Sequence, residues 1–313
     1  MPNNDHTHHN DSPWMQSLGA LVSDFYVNQR LNLKMDLPSN RETIMSIFDR
    51  LRKDHPELKR FRRGSSVLAL ESDVTGGESS SAQGGASAGA GEQIWTELRR
   101  TSVRSGTENP RSSKQAYALH SLILEIAPYF LSISPLDIDY LELLWGFDII
   151  TGGNHDAIVF DALVGGSPLA RLIEPTGRRR KDLFDAGIPV DCQPILGVAL
   201  SESADLQAHF EIRTRTPAPY SVKGGSSQRH GDYDRAGGSD ADQAPLSIYL
   251  IIRRYGAVDD ISDMLKIQRT LRAKGDEIIQ QRVIPHMITP IREVVNAIGG
   301  GDFGPNPGGE RDR

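Results

Sequence analysis

Residues 206–216 carry the densest set of side chains able to do chemistry. Leu206, Ala208, Phe210 and Ile212 alternate with Gln207, His209, Glu211, Arg213 and Arg215. A strand here puts an imidazole, a carboxylate and two guanidiniums on one face. Glu97 and Arg99 share a face of an earlier alternating stretch, 94–103. His209 and Glu211 are the residue types of an acid–base pair. Arg99 and Arg213 can fork onto a carboxylate or phosphate. Together the two glutamate–arginine pairs suggest a charged floor able to hold a small anionic ligand. The same residues also suit cross-strand ion pairs on a solvated sheet.

A second group opens a helix at Gly152-Gly153-Asn154-His155-Asp156. Free N–H groups at a helix start attract anions, and His155 could add acid–base chemistry. The plain alternative is a glycine turn, Asn154 as N-cap and Asp156 in the first turn.

Other features point to function less directly. Basic residues cluster in 50–63 and 178–181, yet 35 Lys and Arg against 41 Asp and Glu leave a net charge of −6, which argues against nucleic acid as partner. His6, His8 and His9 could bind metal only loosely. The single cysteine, Cys192, excludes an intramolecular disulfide, fits a reducing cytoplasm and reads as a small buried residue. The sequence has no P-loop, H-E-x-x-H or C-x-x-C motif, so no metal and no cofactor is expected. No apolar run reaches the length of a membrane span. The polar first dozen residues do not resemble a secretory signal.

The elements that position these residues come from periodicity. Leu31, Leu33, Met35 and Leu37 alternate as a strand, and Pro38-Ser39-Asn40 breaks it and caps a helix through Ile44, Ile47, Phe48 and Leu51. Further strands are expected at 67–70, 94–103, 139–149, 194–200, 206–216 and 246–255, and helices at 113–129 and from Asn154 through Leu163. A long helix at 261–298 should kink or split at Pro285 and Pro290.

These elements repeat. Residues 31–51 superpose on 143–163 without a gap at an offset of 112, matching Asp36 with Asp148 and Phe48-Asp49 with Phe160-Asp161. Glu97-Leu98-Arg99 matches Glu211-Ile212-Arg213 at an offset of 114. The expected fold class is therefore α+β. Two similar strand–helix–strand–strand(–strand)–helix halves, about 14–130 and 131–298, would form a largely antiparallel sheet with helices on one face. Residues 1–13, 74–91, 217–245 and 299–313 are polar, many of them Gly- and Ser-rich, and read as disordered ends and flexible loops.

The doubled unit resembles the topology of the gyrase-inhibitor-like and haem-binding SOUL proteins, which implies a small-ligand cleft between the units. It shares no residue motif with them. Duplicated glyoxalase-type proteins are a second comparison. Their metal is held by His and Glu on strands, and here only His209 and Glu211 are so placed.

The expected function is a non-catalytic cytoplasmic protein that binds a ligand or protein in the groove between the halves. Its candidate residues are Glu97, Arg99, Asn154, His155, His209, Glu211 and Arg213. The alternative is a hydrolase or lyase using His209 and Glu211, with His155. A nucleic-acid accessory protein is the weaker third reading. The apolar C-terminal helix also suggests a homodimer contact.

Overall fold

Asn40 ends one run of chain and begins another. Its side chain accepts the Thr43 backbone N–H at 2.8 Å, capping helix α2 (Arg41–Asp54), which buries Ile44, Ile47, Phe48 and Leu51. The same logic starts α3 (Ser113–Leu131), where Ser112 accepts from Gln115, and α4 (His155–Leu163), where Asn154 accepts from Asp156 and Ala157. A computed structural model describes residues 13–19, 21–64, 66–73, 91–173, 187–214 and 245–299. The histidines of the first dozen residues, the basic run 178–181 and nearly all of the segments 74–91, 217–245 and 299–313 lie outside them.

The strands are β1 (Asp24–Leu33), β2 (Leu58–Arg63), β3 (Val67–Ser72), β4 (Gln93–Arg99), β5 (Ser102–Glu108), β6 (Ile138–Ile149), β7 (Ile195–Ala199), β8 (Leu206–Arg213) and β9 (Leu246–Tyr255). A short helix α1 (Pro13–Leu18) precedes them, and α5 (Asp263–Ile278) and α6 (Thr289–Gly299) follow. Among the described residues the nine strands form one antiparallel sheet in the order β2-β3-β4-β5-β1-β6-β9-β8-β7. The fold is α+β.

One face of this sheet makes the core. Phe25, Val27, Leu31 and Leu33 from β1, Leu141, Leu143, Trp145 and Phe147 from β6, and Leu246, Ile248, Leu250 and Ile252 from β9 are buried there beneath the helices. Burying a side chain of this size contributes about 1.5–3 kcal/mol. Gly275 lets α5 approach closely: a Cβ there would come within 3.0 Å of the Trp145 ring. The indole N–H of Trp145 donates to the Tyr117 hydroxyl of α3 at 2.8 Å. Among the described residues, no helix is long and apolar enough to cross a membrane.

Four sequence expectations need correction. The first strand is residues 24–33, not 31–37, because Gln29 occupies a core-facing position and hides the alternation. Its amide donates to the His120 carbonyl and accepts from Gln268. The expected strand at 94–103 is two strands, β4 and β5, joined at Arg100-Thr101. That turn lacks the Gly, Asn or Pro that marks most hairpins, and the period-two pattern runs through it. The basic run at 50–63 is not only helix and loop: its second part is the edge strand β2, exposed from Lys59 to Arg63. The C-terminal helix does not break at its prolines. A π-helical stretch, Ile279–Ile288, joins α5 to α6, and the wider turn absorbs the N–H that Pro285 lacks.

Read outward from the middle, the sheet runs β1-β5-β4-β3-β2 on one side and β6-β9-β8-β7 on the other. Arg30 and Glu142, which the 112-residue offset superposes, lie directly opposite each other in the central ladder. The second superposition is four residues out of register. Glu97 reaches Arg30 through Arg104, whereas it is Gln207, not Glu211, that reaches Glu142 through Arg253.

Candidate functional site

The face of the sheet away from the helices carries charged and polar rows around a small buried apolar cluster of Tyr26, Leu144, Tyr249 and Ile251. Directly opposed residues in an antiparallel ladder share a face, so the register gives its rows. One row runs Glu97, Arg104, Arg30, Glu142, Arg253, Gln207. The next is Trp95, Gly106, Asn28, Leu144, Ile251, His209, Gly197. A third is Gln93, Glu108, Tyr26, Gly146, Tyr249, Glu211.

Glycines shape this floor. A Cβ at Gly106 would fall within 3.0 Å of Trp95 and Asn28, and one at Gly146 within 3.0 Å of the Tyr26 ring. At Gly197 it would meet His209 Nδ1 at 3.1 Å. Each ring therefore lies flat over the glycine opposite it, which keeps the floor low between the strands. Tyr26 and Tyr249 face each other across Gly146 with ring centroids 6.3 Å apart.

The expected glutamate–arginine pairs do lie on this face, but they do not come together. Five strand spacings of about 4.8 Å separate β4 from β8, so the pairs sit roughly 24 Å apart. Each is also closed on itself. Arg99 holds Glu97 at 2.9 Å, with Arg62 reaching the same carboxylate at 3.6 Å, and Arg213 holds Glu211 at 3.0 Å. Glu97–Arg99 and Glu211–Arg213 are same-strand pairs, not the cross-strand pairs that the alternation suggested. A deeply buried cross-strand pair is Glu142 with Arg253, in which a carboxylate only 3 % exposed accepts from Nε.

The helix start is likewise occupied. Asn154 accepts from Asp156 and Ala157 and donates to the Pro189 carbonyl at 2.9 Å. His155 Nδ1 lies 3.1 Å from the Thr214 carbonyl and Nε2 lies 3.0 Å from that of Thr151. Asp156 accepts from the Cys192 backbone N–H and the Thr214 hydroxyl. These bonds pin the chain around 189–192 and Thr214 to α4, so Asn154 and His155 act as structural groups. Asp156 also helps raise the Cys192 thiol, after burial as the larger cause.

His155 and His209 stand on opposite faces of the sheet. α4 packs its Ile158 and Val159 into the helix-side core, whereas His209 alternates with core-facing Ala208 and Phe210. The three side chains of the acid–base alternative therefore do not converge. Burial, reinforced by Arg253, lowers the His209 pKa and so favours the neutral ring. Among the described residues no group of three or more His, Cys, Asp or Glu is disposed to hold a metal.

Sequence reading missed the centre of this face. Tyr26 and Asn28 lie in β1 before the alternation became legible, and Tyr249 looks like one more apolar residue of β9. Burial raises the Tyr26 phenol well above its ordinary range, with Asp148 adding to the effect, and takes Tyr249 up to about 12. The hydroxyls of Tyr26, Tyr249 and Ser247 are near enough to perturb one another, yet none completes a hydrogen bond of good geometry. The Asn28 Nδ2 and His209 Nε2 atoms are also buried without partners.

The fold and this face define a class: a single antiparallel sheet, helical on one side and polar-floored on the other. No protein-family model matches the chain, and no curated protein matches it either.

Proposed function

We propose that this is a non-catalytic binding protein of the cytoplasm whose polar sheet face receives a small polar or anionic ligand. The observation that carries the reading is the set of buried, partnerless polar atoms at its centre: Tyr26 Oη, Asn28 Nδ2, Ser247 Oγ, Tyr249 Oη and His209 Nε2. A buried polar atom without a partner costs about 1–3 kcal/mol, and several on one face mark a place where a ligand supplies the missing bonds. The mirrored strand order about β1 and β6 supports an internal duplication, with the floor spanning both halves of one domain. A homodimer through the C-terminal helix has less support, since Ile279, Val283, Ile288 and Ile291 are already buried within the chain.

Native mass spectrometry of the gently desalted protein tests the proposal. A bound small molecule should appear on the wild type and be lost from the Tyr26→Phe/Asn28→Ala double variant. A ligand-free wild type that no metabolite mixture stabilises against heat would overturn the reading.

A further inference from the structure

A second site lies on the opposite side of the sheet, at its β7–β8 end. There a groove of about 500 Å³ runs between the strands and the π-helical stretch. Leu196, Val198, Phe210 and Ile212 form one wall and Met287 the other. Its volume is within the range of small-molecule pockets, about 300–1,000 Å³, and its walls are apolar as such pockets usually are. Leu196 is 60 % exposed, so this apolar surface is open.

The polar groups of the groove are all on one element and of one kind. Arg282 and His286 stand four residues apart on the π-helical stretch, so they present nitrogen donors to the same side. Among the described residues no Asp or Glu lines the groove. Arg282 makes no hydrogen bond or ion pair in the structure, in contrast to Arg62, Arg99, Arg213 and Arg253, each of which holds a carboxylate. An uncommitted guanidinium at the mouth of an apolar groove fits an anion carried on a hydrocarbon body.

We propose that this groove binds an apolar carboxylic acid, with the chain along Leu196, Val198, Phe210 and Met287 and the carboxylate on Arg282, assisted by His286. The site is separate from the polar floor and does not depend on it. Phe210 and Ile212 face the groove, while His209 and Glu211 of the same strand face the floor. The two edge strands differ in charge: β2 carries Lys59, Arg60, Arg62 and Arg63, whereas β7 carries none.

Isothermal titration of the full chain with decanoate, and separately with decanol, tests the assignment. Decanoate should bind saturably and at least about tenfold tighter than decanol, the difference reporting the charge-assisted bond. Arg282→Met should erase that difference and leave decanol unchanged. Leu196→Glu, at a side chain exposed enough not to disturb folding, should abolish decanoate binding by placing a like charge in the groove. No saturable binding of decanoate, or decanol as tight as decanoate on the wild type, overturns the proposal. Decanoate binding that survives Leu196→Glu overturns it as well. Loss of the polar-floor ligand in Tyr26→Phe/Asn28→Ala with decanoate binding retained separates the two sites.

Discussion

Ser105 and His120 are joined across 2.7 Å beneath α3, in a place no solvent reaches. His120 Nε2 lies 3.1 Å from the Val27 carbonyl, which can only accept, so Nε2 carries the proton. Nδ1 is then the acceptor for the Ser105 hydroxyl. The pair resembles a nucleophile and its base, yet its full burial makes it a core fastening between β5, α3 and β1. It belongs to a network in which Gln268 of α5 donates to Gln29 of β1 and accepts from Ser121 of α3.

Burial lowers the His120 pKa to about 4 from an ordinary 6.5, outweighing the Val27 bond that raises it. The unfolded chain therefore takes up a proton between pH 6.5 and 4 that the folded chain refuses. This contribution to stability is complete above pH 6.5 and is lost as the pH falls towards 4. It amounts to about 3 kcal/mol. Urea titrations at pH 7 and pH 4 should show this loss in the wild type, and His120→Gln should lose that much less between the same two values.

Gly275 should reject even a methyl group. In an exposed helix, replacing Gly by Ala gains about 1 kcal/mol. Here the added Cβ would strike the Trp145 ring, so Gly275→Ala should cost about 1–3 kcal/mol instead. A rise in the urea midpoint would show that α5 can back away from the sheet.

The Glu142–Arg253 pair should reveal itself by asymmetry. Arg253→Met strands a carboxylate only 3 % exposed and should cost about 3–5 kcal/mol. Adding Glu142→Gln to that variant should recover a large part of the loss. A double-mutant cycle measured by chemical denaturation reads the coupling.

Asn154 should behave as a structural group, capping α4 and holding Pro189, and not as a ligand contact. Asn154→Ala should lower stability by about 1–2 kcal/mol through loss of the bonds to Asp156, Ala157 and Pro189. Its effect on ligand-induced thermal stabilisation should be nil. A change in ligand affinity with unchanged stability would return Asn154 and its helix start to the binding site.

The charges at the β2 edge should keep the sheet from growing. Arg60→Val/Arg63→Val removes two of them from this edge strand and leaves the Arg62–Glu71 pair intact. Light scattering at rising protein concentration should show association that the wild type lacks at the same concentrations.

Much of the architecture is written in local sequence. The caps Asn40, Ser112 and Asn154, the helical stripes behind them and the alternation of β6, β8 and β9 all act over a few residues, so their periods are visible without the fold. Composition likewise set the acidic charge and the single cysteine. The floor was not visible, because it depends on which residues stand opposite each other in the ladder. Tyr26, Gly146 and Tyr249 are more than a hundred residues apart at each step, yet share one row. Sequence also placed Glu97, Arg99, Glu211 and Arg213 on one face correctly, but only strand order put five spacings between the pairs. The same holds for His155 and His209: each lies in the element its pattern predicted, and the sheet that separates them exists only once nine strands have paired.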